Sequence, residues 1–301
     1  VPRLVEATDA QKRARDEVTA SAWGRLLTPA QFLAREATLR AHPFAREAMR
    51  TWLWLGDDGR VCSSCETFEV RARRRSVEGR AFVVASVFTE PDLRGRGFAG
   101  ALLDALAARL TGPGALALAL FSEVGAQLYE RVGFVAQPSW DVVFPVETSV
   151  LPMATWTPET GAPPPGPAQG EDVELLLGEA QCDWHVERER FYAEALGRPS
   201  PAGHRLRRGT STLAIAAAFQ PNELHVLWYD FRDERDVEPM LDEARRVAGA
   251  CGLDAVRLWE TAPFPLPPQA KRVRRDDELP MLRPLDGGAA DWTNIARGLW
   301  A

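Results

Sequence analysis

Lysine is almost missing from this 301-residue chain: of 36 cationic side chains, only Lys12 and Lys271 are not arginine. That skew fits GC-rich coding and marks no site. No apolar run approaches the ~18–20 residues that span a bilayer; the longest, Ala115 to Phe121, has the length of a strand. Val1-Pro2-Arg3 leads straight into charged sequence, so no signal peptide is expected. Only four cysteines occur. Cys62 and Cys65 form a Cys-x-x-Cys, but no second pair and no histidine cluster stands at zinc-ligand spacing among His42, His185, His204 and His225. A redox Cys-x-x-Cys opens a helix, whereas this one sits in a strand-like stretch. Reduced cysteines in a cytoplasmic protein are expected, and no metal. Gly-x-x-x-x-Gly-Lys-Ser/Thr is absent, which excludes a P-loop. The net charge of −6 speaks against nucleic acid and anionic membranes as partners and allows a cationic substrate. The run Arg71, Arg73, Arg74, Arg75 is expected in a solvated hairpin loop.

What is present is a globular composition, 46% hydrophobic and 26% charged. The length suggests two domains. A Pro/Gly-rich segment begins at Thr157, and proline's fixed φ and missing N–H keep it out of helices and central strands. The expected division is residues 1–156, a linker at 157–171, and residues 172–301. Helices are expected from Asp9 to Leu26 and from Pro29 to Ala41, the second with proline at its first position. A hairpin follows, Trp52–Leu55 with Arg60–Val70, then a strand over Arg80–Phe88, a helix over Gly97–Leu110, the strand Ala115–Phe121, a short helix over Val124–Val132 and closing strands to Val146. In the second half, Asp172–Leu196 is expected to be helical, in two helices. The strands Leu213–Phe219 and Leu224–Phe231, the helix Val237–Gly252 and the strand Ala255–Trp259 follow. Strand–strand–helix–strand repeats the first half, which suggests an internal duplication. The fold class is α/β (α+β).

Chemistry concentrates where the strand ending at Thr89 turns through Glu90-Pro91-Asp92-Leu93-Arg94-Gly95-Arg96-Gly97 into a helix. Glycines let backbone N–H groups converge, the helix start adds unpaired donors and its dipole, and Arg94 and Arg96 add charge. Such a turn suits a phosphate or pyrophosphate; a plain strand-to-helix turn is the other reading. Gly95, Gly97 and Gly100 also fit Gly-x-Gly-x-x-Gly, but the preceding strand is not the first of the fold and the turn comes late, unlike a dinucleotide fold.

Arg94-Gly95-Arg96-Gly97-Phe98-Ala99 resembles the Gln/Arg-x-x-Gly-x-Gly/Ala signature of the GNAT acetyltransferase superfamily. Leu120 to Phe134, a strand end, short helix, Tyr129 and Gly133-Phe134, resembles its second signature. A narrower similarity is to the fungal lysine N6-acetyltransferase group. It rests on Ser63-Ser64-Cys65-Glu66-Thr67, Val87-Phe88-Thr89, Phe121-Ser122-Glu123-Val124-Gly125, Asp183-Trp184-His185, and the tail segments Leu279-Pro280-Met281 and Asp291-Trp292-Thr293-Asn294. The resemblance implies a GNAT fold with a mixed central sheet and a second, smaller, degenerate GNAT-like domain closing the acceptor pocket. It implies acetyl-CoA as cosubstrate, its pantetheine along Val87, Phe88 and Thr89 and its pyrophosphate on Arg94, Gly95, Arg96, Gly97, Phe98 and Ala99. Ser122 stands where many members carry a pantetheine-binding Asn, and a hydroxyl cannot repeat an amide's paired contacts. Tyr129 matches the acid that protonates the leaving thiolate; packing against Phe134 is its other reading.

The attacking amine must lose a proton. Glu66 and His185 are the candidate bases; an arginine salt bridge and a helix-break packing role are their alternatives. Glu123, Asp183 and Trp184 are candidate acceptor-binding residues, although Glu123 at a helix start also suits the dipole. Trp228 is a further candidate wall. The second half has no Gly-x-Gly turn and is expected to bind no CoA. The acceptor implied is a small-molecule amine, free lysine on its side chain. An aminoglycoside, a polyamine or a protein N-terminus remain open, as does a non-catalytic acyl-CoA-binding module.

Overall fold

A computed structural model describes residues 1–75, 77–146, 152–164, 172–262 and 264–300. The first half runs β1 (Arg3–Glu6), α1 (Asp9–Trp23), α2 (Pro29–Ala41), α3 (Pro43–Ala48), β2 (Met49–Leu55), β3 (Val61–Arg74), β4 (Val77–Thr89), α4 (Phe98–Leu110), β5 (Ala115–Ser122), α5 (Gln127–Glu130), β6 (Val135–Ala136) and β7 (Trp140–Pro145). The second runs β8 (Val173–Leu176), α6 (Glu179–Leu196), β9 (Arg205–Arg208), β10 (Ser211–Ala218), β11 (Glu223–Asp230), α7 (Glu234–Ala250), β12 (Ala255–Trp259), β13 (Lys271–Arg274), β14 (Leu279–Pro284) and β15 (Trp292–Thr293). Helix starts follow local chemistry: Thr8 and Thr28 each form a capping box with the Gln three residues on, Gln11 and Gln31.

Two mixed sheets result. The first has the order β1-β2-β3-β4-β5-β14-β6, with β8 beside the far end of β3 and β15 beside β8. The second has the order β13-β7-β12-β11-β10-β9. In each, an antiparallel pair leads through a helix into a parallel strand: β3–β4–α4–β5 and β10–β11–α7–β12. This is the repeat the sequence suggested.

Sheet membership does not follow the expected division at 157–171. Strand β7, from before it, pairs with β12 and β13, and β14, from after it, sits between β5 and β6. The halves trade their equivalent strands. Part of the expected linker is also anchored: Thr157 bridges Arg205, and buried Thr160 donates to Asp183 Oδ1 at 2.8 Å. Residues 165–171, like Pro263, lie outside the described residues.

Two further expectations change. Residues 173–176 form a strand rather than a helix, because β3 offers them an edge at Arg71–Arg74. Arg71, Arg73 and Arg74 are therefore strand residues, while Arg75 stands in the turn as expected. Arg73 pairs with Glu174 and Arg74 with Asp286, carboxylates that arrive from the second half.

Strand alternation assigns the faces. Phe82, Val84, Leu118 and Leu120 pack with Leu102, Leu103 and Leu106 of α4. On the other face, Phe68, Val83 and Ala119 share a core with Ala214, Ala216, Leu227 and Trp259 of the second sheet. Glu66, two residues before Phe68 on β3, belongs to this inner face.

Candidate active site

The parallel register of β4 and β5 runs from Arg80–Ala115 to Val84–Leu120 and stops there. Beyond it β4 continues to Thr89, while β5 stays with β14. The β5-facing backbone of residues 85–89 thus has no strand partner, which leaves an open slot. Opposite Cys65, β4 carries a bulge: Ser64 pairs with Phe88 and Glu66 with Ala85, so Ser86 and Val87 face one residue. Ser86 takes the left-handed conformation, φ 52°.

Past the slot, Gly97 at φ 80° starts α4 with no side-chain cap. Gly95 also has positive φ, 75°. A Cβ at either would touch nothing within 4 Å, so the backbone conformation, not crowding, demands glycine. The first N–H groups of α4 stay free for an anion. Arg94 lies over the Phe88 ring, 5.6 Å from its centroid.

The slot opens into a cavity of about 750 Å³ between the halves. Glu66, Val87, Phe88, Arg94, Glu123, Tyr129, Trp184 and His185 line it together. Glu66 accepts from Arg40 Nη2 at 3.2 Å. Burial, then the nearby Glu36, pushes its carboxyl up to about 6 against the pull of Arg40. Tyr129 is buried, its ring 6.0 Å from Phe134 in an edge contact, so the packing reading also holds. Burial, then Glu123 and Cys65, raises its hydroxyl to about 12. Glu123 is raised by desolvation and by Glu278 and Asp277 across the mouth.

His185 lies inside α6, not at a helix break. Its Nε2 is 3.0 Å from Gly298 O, and burial pulls it down to about 3. A neutral imidazole with one nitrogen already engaged is a poor base at neutral pH. Trp184 donates to Leu39 O at 3.2 Å.

Other candidates fall away from the cavity. Asp183, next to Trp184 on α6, points to Thr160. Ser122 Oγ donates to Gly125 O at 2.6 Å and accepts from Val124 N at 3.3 Å, so its turn consumes it. Trp228 is buried in the core between the sheets. Thr89, Gly95, Arg96, Gly97, Phe98 and Ala99 follow the slot outside the cavity lining. All four cysteines are buried and unpaired. Among the described residues, no cluster of His, Cys, Asp or Glu could hold a metal ion, and no helix is long and apolar enough to cross a membrane.

Sequence reasoning missed the polar wall. α1 buries Arg15, Asp16 and Thr19, and α2 buries Arg35 beside Phe32 and Leu39. Polar residues at positions i, i+1 and i+4 on a helix's inner face were the available signal. It also missed the tail: Arg297 and Trp300 line the cavity.

Sheet order, splayed strand pair and glycine turn agree with the GNAT fold that the sequence resemblance implied. Residues 50–136 match the acetyltransferase (GNAT) domain family. A lysine acetyltransferase of Yarrowia lipolytica (strain CLIB 122 / E 150) is 25% identical across 42% of this chain. The match spans 38% of that relative's length. Among solved structures, a conserved protein of Enterococcus faecalis V583 shares the fold over 95% of this chain and 73% of its own, with TM-score 0.60 and 12% identity. A GCN5-related N-acetyltransferase from Kribbella flavida does so over 95% and 72%, with TM-score 0.57 and 16% identity.

Proposed function

We propose that this protein is an acetyl-CoA-dependent N-acetyltransferase acting on a small-molecule amine, namely the side-chain amine of free lysine. The observation that carries the reading is the continuity of three features. A strand edge at residues 85–89 without a strand partner among the described residues lies between an uncapped helix start and a cavity lined by Glu66 and Tyr129. The pantetheine arm hydrogen-bonds along the edge, and the pyrophosphate rests on the N–H groups from Gly95 to Ala99, with Arg94 beside it.

In the cavity, Glu66 takes a proton from the acceptor's ammonium, which would otherwise be ~99.9% protonated at pH 7.4. The amine nitrogen attacks the thioester carbonyl carbon. The N–C bond forms, the C–S bond breaks, Tyr129 gives its proton to the departing sulfur, and the nitrogen's second proton passes to the Tyr129 phenolate, while the proton taken by Glu66 leaves to solvent. The hydroxyl of Tyr129 has no hydrogen-bond partner among the described residues, which leaves it available. A cavity of about 750 Å³ shared with the acetyl end of the cofactor favours a small acceptor. The acidic groups at its mouth, Glu123, Asp277 and Glu278, favour a cation. The lysine assignment is supported by the similarity to the Yarrowia relative. Four unpaired cysteines fit the cytoplasm.

Thiol release from acetyl-CoA with L-lysine and a panel of other amines tests this, with mass spectrometry of the product. Release with lysine and a side-chain acetylated product is expected. Release with another amine and none with lysine would discard the lysine assignment; no release with any amine would discard the activity.

A further inference from the structure

The arginines of the cavity differ in one respect. Arg15 donates to Ser64 Oγ at 3.1 Å and pairs with Glu90. Arg35 pairs with Glu36 and donates to Tyr192. Arg40 holds Asp16 through two hydrogen bonds. Arg297 pairs with Glu278 and donates to His225 Nδ1 at 3.0 Å. Arg94 donates to Thr89 O, and Arg25 is exposed. Arg188 alone is partly buried in the lining with no hydrogen bond or ion pair among the described residues.

Its surroundings sharpen the point. Arg188 lies on the cavity face of α6, four residues after Trp184 and three after His185. Its guanidinium sits over the Trp300 ring, 4.7 Å from the centroid. Burial and the neighbouring Arg35 pull it down to about 10, against the opposite pull of Tyr192 and Glu36, and Arg297 adds to the repulsion. A buried cation among cations costs free energy unless an anion joins it. Among the described residues, no anion is bonded to it. A guanidinium held over an aromatic ring keeps its N–H edge for a bidentate partner, and carboxylate matches that fork.

We propose that Arg188 binds the carboxylate of the acceptor, so that the acceptor is an amino acid rather than a bare amine. The proposal rests on the acetyltransferase reading of the same cavity. Glu123 lies within electrostatic reach of Arg188. An amino-acid headgroup therefore meets both signs of charge. A diamine would place an ammonium beside an unneutralised guanidinium.

L-lysine and cadaverine carry the same side-chain amine and differ in the carboxylate. With the wild type, kcat/KM for lysine is expected to exceed that for cadaverine by at least ~10-fold, the lower range for a charge-assisted hydrogen bond. In Arg188→Met that ratio falls to near one, through KM for lysine, and Arg188→Lys recovers part of it. Thermal unfolding controls for folding: loss of an unpaired cation should leave Tm the same or higher. Calorimetry with N6-acetyl-lysine and N-acetylcadaverine gives an arm free of turnover. Wild type should bind the first more tightly, and Arg188→Met should not distinguish them. Equal handling of the two compounds by the wild type, or an unchanged preference in Arg188→Met, overturns the anchor, as does failure of the wild type to bind N6-acetyl-lysine. Acetyl transfer to cadaverine with no preference for lysine sinks the anchor and spares the acetyltransferase reading. Arg188-dependent binding of N6-acetyl-lysine without any thiol release sinks that reading and spares the anchor.

Discussion

Replacing Glu66 with Gln separates catalysis from stability, because the two should move in opposite directions. The folded protein raises the Glu66 carboxyl from 4.5 to about 6. That difference of about 1.5 units corresponds to ~2 kcal/mol. The sign follows from proton linkage. Between pH 4.5 and 6 the folded state binds more protons here than the unfolded state, so this residue's contribution falls as pH rises. It is fully present below about 4.5 and lost above about 6. At neutral pH the ionised carboxylate is thus a burden on the fold, and it is useful only if its charge does chemistry. Gln keeps an oxygen for Arg40 Nη2, and Arg40 keeps Asp16 and Glu36. Glu66→Gln should therefore unfold at the same or a higher temperature at pH 7.4, with a gain of at most ~2 kcal/mol. Its kcat/KM should drop by ~10²-fold or more, the usual contribution of a positioned base. The wild-type profile should bend near pH 6, where the carboxylate is half ionised, and the variant should lack that bend. Stopped-time thiol assays from pH 5 to 9, with calorimetric unfolding at both ends, measure all three. An active variant that keeps the bend at 6 would reduce Glu66 to a partner of Arg40. A variant that loses activity only because it unfolds would refute the reasoning equally.

Tyr129→Phe keeps the edge contact with Phe134. It should lower kcat by ~10²-fold, the low end for a lost general acid, and leave acetyl-CoA affinity within twofold; equal loss of both would leave Tyr129 a packing residue. Gly97→Val forces a branched side chain to φ 80°, costing roughly 1–2 kcal/mol of stability. Because its Cβ would have free space, the weakened acetyl-CoA binding seen by calorimetry should come from a shifted α4 start, and unchanged affinity would move the pyrophosphate elsewhere. Residues 1–156 alone lack β14 and expose the edge of β5, and residues 172–301 alone lack β7. Each should aggregate alone and copurify when coexpressed, whereas a soluble, cooperatively unfolding 1–156 would contradict the strand exchange.

Local signals predicted local structure well. Thr28-Pro29 and Gln31 set the start of α2 at the expected residue, and the Leu/Ala face of α4 packs where its periodicity points. Distant pairing was hidden. Val173–Leu176 is four residues long, too short for periodicity to separate strand from helix, and its partner lies a hundred residues upstream. Nothing local in Trp140–Pro145 or Leu279–Pro284 says which sheet each joins, although the family resemblance had already singled out the tail around Leu279. The site divides the same way. The glycine turn and Tyr129 stand in contiguous motifs, whereas the cavity wall comes from single charged residues on α1, α2 and α6. In a chain whose cations are nearly all arginine, Arg188 carries no compositional mark. Only the absence of a hydrogen bond or ion pair among the described residues distinguishes it, and that is a property of three dimensions.

The two halves share a topology and differ in what they do with it. In the first, Gly97 leaves the helix start bare beside an empty strand edge. In the second, the equivalent helix is capped by Asp233, whose carboxylate accepts from Arg235 N and would repel a phosphate. The register of β11 with β12 ends at Val226–Leu258, and the tail at Gly298 packs beside Leu227 just beyond it. A Cβ on Gly298 would stand 3.4 Å from Leu227 O and collide with the Leu177 side chain. The same tail reaches into the cavity, where Gly298 O holds His185 and Trp300 underlies Arg188. The tail that packs beside β11 is thus the same tail that lines the cavity. A second half without that tail would have no ring beneath Arg188, and the cavity would lose the feature that tells an amino acid from an amine.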